Sequence, residues 1–134
     1  MNVVEGPWII HWDKYYYLFY SSRGFKDPKY SQLCARSKHV TGPYVKSTKP
    51  VVAMDSERSS RGVNTTWTGP GHGCVVQDHI GSWWLVYHAW VVGKIGDESP
   101  GRQMMLDKLS LDEEGWPKVE DCIPSDRPRL RPDL

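Results

Sequence analysis

Trp8-Ile9-Ile10-His11, Trp12-Asp13-Lys14 and Tyr15-Tyr16-Tyr17-Leu18-Phe19-Tyr20-Ser21 together decide the fold. Two runs rich in aromatic and β-branched residues flank a three-residue turn, and strands joined by so short a link must lie antiparallel. Outward from this hairpin, Ser22 to Lys29 carries Gly24 and Pro28 and reads as a loop. Tyr30-Ser31-Gln32-Leu33-Cys34-Ala35-Arg36-Ser37 follows as a third strand, and Thr41-Gly42-Pro43 turns the chain into a short edge strand at Tyr44-Val45-Lys46. The unit is a four-stranded meander.

A second unit opens at Gly71-His72-Gly73 and continues through Cys74-Val75-Val76-Gln77, a turn at Asp78 to Gly81, and Ser82-Trp83-Trp84-Leu85-Val86-Tyr87-His88-Ala89. Gly101 to Leu109 supplies its third strand, and Gly115-Trp116-Pro117 opens a fourth at Lys118-Val119. Aligning Tyr20 with Tyr87 superposes the units: Gly and Pro, a tight turn, then an aromatic strand ending in tyrosine. Helical periodicity is nearly absent, so the chain is all-β. Four antiparallel strands per repeat describe a β-propeller blade, and a propeller closes with about four to eight blades. The expected architecture is about two four-stranded blades, with a small two-sheet sandwich as the competitor. The expected boundaries are a first blade over 1–54, a polar surface loop over 55–68, a second blade over 69–123 and an irregular tail over 124–134 containing Pro124, Pro128 and Pro132.

Charged residues make up 25% of the 134, and the net charge is +1, so no broad field points to nucleic acid or an anionic membrane. No apolar run is long enough to span a bilayer, and Met1 opens no signal peptide, so the chain reads as soluble. Cys34, Cys74 and Cys122 are too widely spaced for a CxxC zinc or redox pattern. The informative excess is seven Trp and seven Tyr against two Phe. Such rings fill β cores and also stack on sugars.

Glu5 precedes Gly6 and Pro7 at the mouth of the first strand. Glycine permits close approach, proline fixes the entry angle, and a carboxyl partly walled by aromatics can act as a general acid. By itself such a glutamate is more often a solvated turn residue. Asp13 and Asp78 occupy hairpin turns, where aspartate is favoured for turn chemistry. Trp83 and Trp84 alternate faces of one strand, so at least one of them packs.

Taken in order, Glu5-Gly6-Pro7-Trp8, Tyr15 to Ser21, Ala35-Arg36-Ser37, Thr41-Gly42-Pro43-Tyr44, Gly69-Pro70-Gly71-His72-Gly73, Trp83 to Ala89, Gly101-Arg102 and Gly115-Trp116-Pro117 resemble glycoside hydrolase family 43 from Val4 to about Val119. The resemblance implies the C-terminal portion of a five-bladed propeller that cleaves arabinosyl or xylosyl linkages of oligo- or polysaccharides by inversion. It implies Glu5 as general acid, with a base aspartate and an orienting aspartate in earlier blades. Only four residues precede Glu5, so neither aspartate can be carried over. An inverting pair must stand roughly 6.5–9.5 Å apart.

The resemblance further places His72 near the propeller axis, at the substrate and beside a structural calcium or its water shell. No other cofactor is implied, and an imidazole alone suits oxygen-seeking calcium poorly. Arg102 is implied as a grip on sugar hydroxyls, with pairing to a surface carboxylate as its alternative. Trp8 is expected to flank the acid and stack on a sugar ring, whereas His88 is expected to fill a blade interface. An extracellular location is favoured over a cytoplasmic one, and the open blade edges are expected to promote association. Two other functions compete with the glycosidase: a catalytically silent carbohydrate-binding or structural fragment, and an unrelated β-sandwich interaction module.

Overall fold

The computed structural model describes residues 3–54, 66–128 and 131–133. Its regular structure is β1 (Val4–Trp12), β2 (Tyr15–Ser22), β3 (Ser31–Ser37), β4 (Val45–Lys46), β5 (Val52–Ala53), β6 (Trp67–Gln77), β7 (Trp83–Val91), β8 (Gln103–Lys108), β9 (Ser110–Leu111) and β10 (Pro117–Lys118), followed by one 3-10 turn at Glu120–Cys122. The chain is all-β, as the aromatic runs predict. The opening hairpin pairs Trp12 with Tyr15 across the turn, and Asp13 takes the left-handed conformation there (φ 54°) that aspartate tolerates.

The first sheet runs β1-β2-β3-β4, and β5 adds to it by pairing with β3. The second sheet has three strands, β6-β7-β8, rather than the expected four. The predicted fourth strand at Lys118-Val119 forms instead as β10, which pairs with β9 in a separate ribbon. Side chains of the first sheet explain this departure. The Arg36 guanidinium lies over Tyr15 and Trp116 and donates to the carbonyls of Glu114 and Gly115, at 2.7 and 3.0 Å. The Tyr17 hydroxyl donates to the same Gly115 carbonyl at 2.6 Å. Val119 N–H donates to Val51 O, completing a segment drawn towards the first sheet and away from β8.

Two strands also begin earlier than expected. β1 takes in Glu5-Gly6-Pro7, and β6 takes in Trp67 and Thr68 from the expected loop as well as Gly69 to Gly73. Residues 55–65 of that loop lie outside the described residues. Among the described residues of the tail there is no helix or strand, yet Pro124 is fully buried, Ser125 N–H donates to Asp107, and His79 N–H donates to Asp133 O.

The sheets pack face to face, with β6 against β1, β2 and β3. Between them lie Ile10, Tyr17, Phe19 and Cys34 from the first sheet and Val75, Leu85, Tyr87, Ala89 and Met105 from the second. Strand alternation sends these residues to one face, and each large apolar side chain so buried contributes roughly 1.5–3 kcal/mol. Trp84 is buried with its indole N–H on Asp78, while Trp83 packs on Trp12, so both tryptophans serve the fold. Asp78 also accepts from Ser82 N–H across its hairpin turn. All three cysteines are free thiols.

Candidate active site

Both inner strands are bulged. The β1–β2 register shifts between Glu5 and Trp8, where Gly6 has φ 62°. The β6–β7 register shifts on either side of Gly71, with Gly69 at φ 57° and the non-glycine His72 at φ 53°. Bulges of this kind re-aim side chains that a regular pleat would send elsewhere. Here they direct Glu5 and His72 towards each other, with His72 Nδ1 lying 3.7 Å from Glu5 Oε1. A Cβ on Gly6 would stand 3.4 Å from the His72 ring, so the imidazole lies against bare backbone.

Left-handed backbone at a histidine is strained, and persists only where its surroundings over-determine it. Those surroundings come from the first sheet. His72 N–H donates to Ser21 Oγ at 2.7 Å, Ser21 donates to Gln32 Oε1 at 3.1 Å, and Gly73 N–H donates to the same Gln32 oxygen at 2.7 Å. Ser21 and Gln32 are completely buried. Gln32 Nε2 has no partner among the described residues, which marks the accepting oxygen as the atom this position requires.

Tyr30 closes the cluster. It is fully buried, its ring stacks on His88 at 5.6 Å and 6°, and its hydroxyl donates to Glu5 Oε1 at 2.8 Å. Burial, followed by the hydrogen bond to Glu5, pushes the phenol above its ordinary range, so it remains a donor. His88 is drawn down to about 4, first by burial and then by the neighbouring Arg102 and His72, and is neutral near pH 7. Arg102 Nη1 lies 3.3 Å from His88 Nε2. Arginine only donates, so Nε2 accepts and the proton sits on Nδ1, a buried atom without a partner among the described residues. The Arg102 guanidinium also lies 4.8 Å from the Phe25 ring, and the Phe25 carbonyl is held by the Trp90 indole.

Three of the sequence-predicted residues, Glu5, His72 and Arg102, therefore converge around Tyr30 and His88. Glu5 and His72 keep 32% and 51% of their side chains exposed, which leaves the acid reachable from solvent. Trp8 makes a different contact: its indole N–H donates to Val75 O at 3.0 Å, joining β1 to β6, and the ring is partly exposed. His88, expected only to fill an interface, stacks on both Tyr30 and His72 at the centre of the cluster. Tyr30, Ser21, Gln32 and Phe25 were not legible as site residues. The flanking Gly71 and Gly73 were the available signal, because glycine marks close approach: a Cβ on Gly71 would meet the Tyr30 ring at 2.5 Å.

One carboxylate and two imidazoles do not by themselves fit a resident calcium, which takes six to eight oxygen ligands. Among the described residues no group of three or more His, Cys, Asp or Glu side chains could hold a metal ion. What the cluster offers chemically is a single carboxyl with Oε1 held by a phenol and Oε2 bonded to none of the described residues, next to imidazole and guanidinium donors. Such an arrangement suits proton donation to, and hydrogen bonding of, a hydroxyl-rich ligand.

Comparison with known proteins places these residues in context. Residues 1–117 match the family model for glycosyl hydrolases family 43. The chain is 31% identical over 123 residues to an extracellular exo-α-(1→5)-L-arabinofuranosidase of Cellvibrio japonicus, covering 88% of this chain and 33% of that protein. It is 33% identical over 117 residues to a non-reducing end α-L-arabinofuranosidase of Bacteroides ovatus, covering 86% and 21% respectively. Among solved structures, a xylan β-1,4-xylosidase from Bacillus halodurans superposes with a TM-score of 0.75 at 26% identity, over 96% of this chain and 25% of that one. The chain thus spans a third or less of the length of the relatives it matches.

Proposed function

Because the chain belongs to glycosyl hydrolases family 43, we propose that it forms the acid-bearing side of a pocket that hydrolyses arabinosyl or xylosyl O-glycosyl bonds by inversion, with Glu5 as general acid. Its two sheets are two blades of that family's five-bladed propeller. The observation that carries the reading is the convergence of Glu5 from β1, His72 from the middle of β6 and Arg102 from the entrance to β8 around one partly exposed carboxyl. In this reading Glu5 protonates the departing glycosidic oxygen, while Arg102 and His72 hold sugar hydroxyls. Trp8, partly exposed three residues along β1, is assigned an apolar contact at the pocket's margin.

No second carboxylate is hydrogen-bonded or ion-paired into the cluster among the described residues, so the general base is assigned to no residue of this chain. The substrate is an oligo- or polysaccharide containing pentose units. An extracellular setting accords with the Cellvibrio relative, and no helix among the described residues is long and apolar enough to cross a membrane. The partly open outer faces, with Ile9, Val45, Met104 and Leu106 exposed, are assigned to association with further blades.

The test is Glu5→Gln in the complete polypeptide that carries these residues. The expected result is a loss of 10²–10⁴-fold in kcat, on the order of general acid catalysis, for natural pentosides with poor leaving groups. Activated aryl glycosides, whose leaving groups need no proton, should lose far less. Equal losses on both would sink the assignment. That no second carboxylate joins the cluster among the described residues favours one other reading, a silent sugar-binding fragment. In that case the wild-type polypeptide would bind pentose oligosaccharides and release no product.

A further inference from the structure

We infer that Tyr30 is the positioning residue of the acid: its buried hydroxyl, seated by Gly71 and His88, occupies Glu5 Oε1 and thereby assigns the transferable proton to Oε2. The inference rests on Glu5 being the acid and adds which of its oxygens works and what holds it there.

The geometry is built from parts that have no other evident use. Tyr30 stands at the entrance to β3, and its backbone N–H closes a turn on Asp27 O at 2.9 Å, which fixes where the side chain starts. Its ring fits only because residue 71 lacks a Cβ; an alanine there would place a carbon 2.5 and 2.8 Å from two ring atoms. The opposite contact is the nearly parallel stack on His88. A phenyl ring held on both sides has little torsional freedom, so its hydroxyl is aimed rather than merely near. It reaches Glu5 Oε1 at 2.8 Å, and His72 Nδ1 stands 3.4 Å from the same hydroxyl.

A neutral carboxyl has one O–H and otherwise only acceptor capacity. When a phenol donates to Oε1, that oxygen serves as the acceptor, and the acid proton resides on Oε2, the oxygen without a partner among the described residues. Once the proton has left for the glycosidic oxygen, the same phenol stabilises the carboxylate that remains, because hydrogen bonds to the charged form favour it. Tyr30 touches neither sugar nor reacting atoms in this arrangement; it acts through Glu5.

The experiment is Tyr30→Phe in the complete polypeptide, beside Glu5→Gln, with kcat and KM measured across pH on a poor and an activated leaving group. Phenylalanine keeps the ring and its stack, and thermal melting checks that the variant is folded. The expected outcome is about a tenfold drop in kcat for the poor leaving group, KM within about twofold, and a loss under about threefold for the activated one. Tyr30→Phe kinetics that overlie the wild type, or an equal kcat loss on both substrates, overturn the positioning role while Glu5→Gln still discriminates between leaving groups. If Glu5→Gln does not discriminate either, the acid assignment itself has failed.

Discussion

The two inner strands, β1 and β6, use the same device for different ends. Each is bulged with a glycine at positive φ, and each turns one side chain into the candidate site, Glu5 from β1 and His72 from β6. They differ in what holds them. β6 is locked by buried polar groups of the opposite sheet, with Ser21 and Gln32 gripping the backbone of His72 and Gly73. β1 leaves Val4, Trp8 and Ile9 exposed, and its carboxylate is held by one side-chain hydrogen bond. The difference teaches that the imidazole is set by backbone strain under restraint, whereas the acid is set by a single donor.

The largest expected effect comes from removing the restraint. Gln32→Leu would leave Ser21 O–H and Gly73 N–H buried without an acceptor, at about 1–3 kcal/mol each, and urea unfolding should show a loss of about 2–6 kcal/mol. A loss below about 1 kcal/mol would mean that the His72 bulge stands without its grip. Next is Gly71→Ala, which forces the Tyr30 ring to move and should cost about 1–3 kcal/mol by overpacking. Gly24→Ala meets nothing within 4 Å and serves as the control, with an expected change within about 0.5 kcal/mol.

The smallest effect concerns pH. His88 is held at about 4 against an ordinary 6.5, so between those values the unfolded chain binds the proton more readily than the folded one. Stability should therefore rise from about pH 4 to 6.5 and lose this contribution as the pH falls through that window. Replacing His88 by Asn should flatten this slope in a melting-temperature series. An unchanged slope would assign the acid sensitivity to other groups.

The opening hairpin, the third strand and the short edge at Val45–Lys46 were legible, because alternation and turn chemistry act locally. The all-β class followed from them, and the family's order of motifs led to Glu5, His72 and Arg102 before any contact between them was visible. The missing fourth strand of the second sheet was not legible. The two units look alike along the chain, and the distant Arg36, Tyr17 and Val51 hold the Gly115 segment to the first sheet. Tyr30 escaped for the same reason: in sequence it is the first residue of a strand, and its meaning lies in Glu5, Gly71 and His88, each contributed by a different strand. Periodicity reports which face a residue takes, not which residue from another sheet will meet it.

The Arg36 clamp sits at the Trp12–Tyr15 end of the first hairpin, the end opposite Glu5 and Ser21. With Gln32 fastening the Glu5 end to β6, the first sheet is held at both ends, by the second sheet at one and by the β9–β10 ribbon at the other, like a panel held by two rails. Such a panel has no free pivot of its own, so the first sheet is expected to swing only as one rigid piece with the second sheet and the ribbon that hold it.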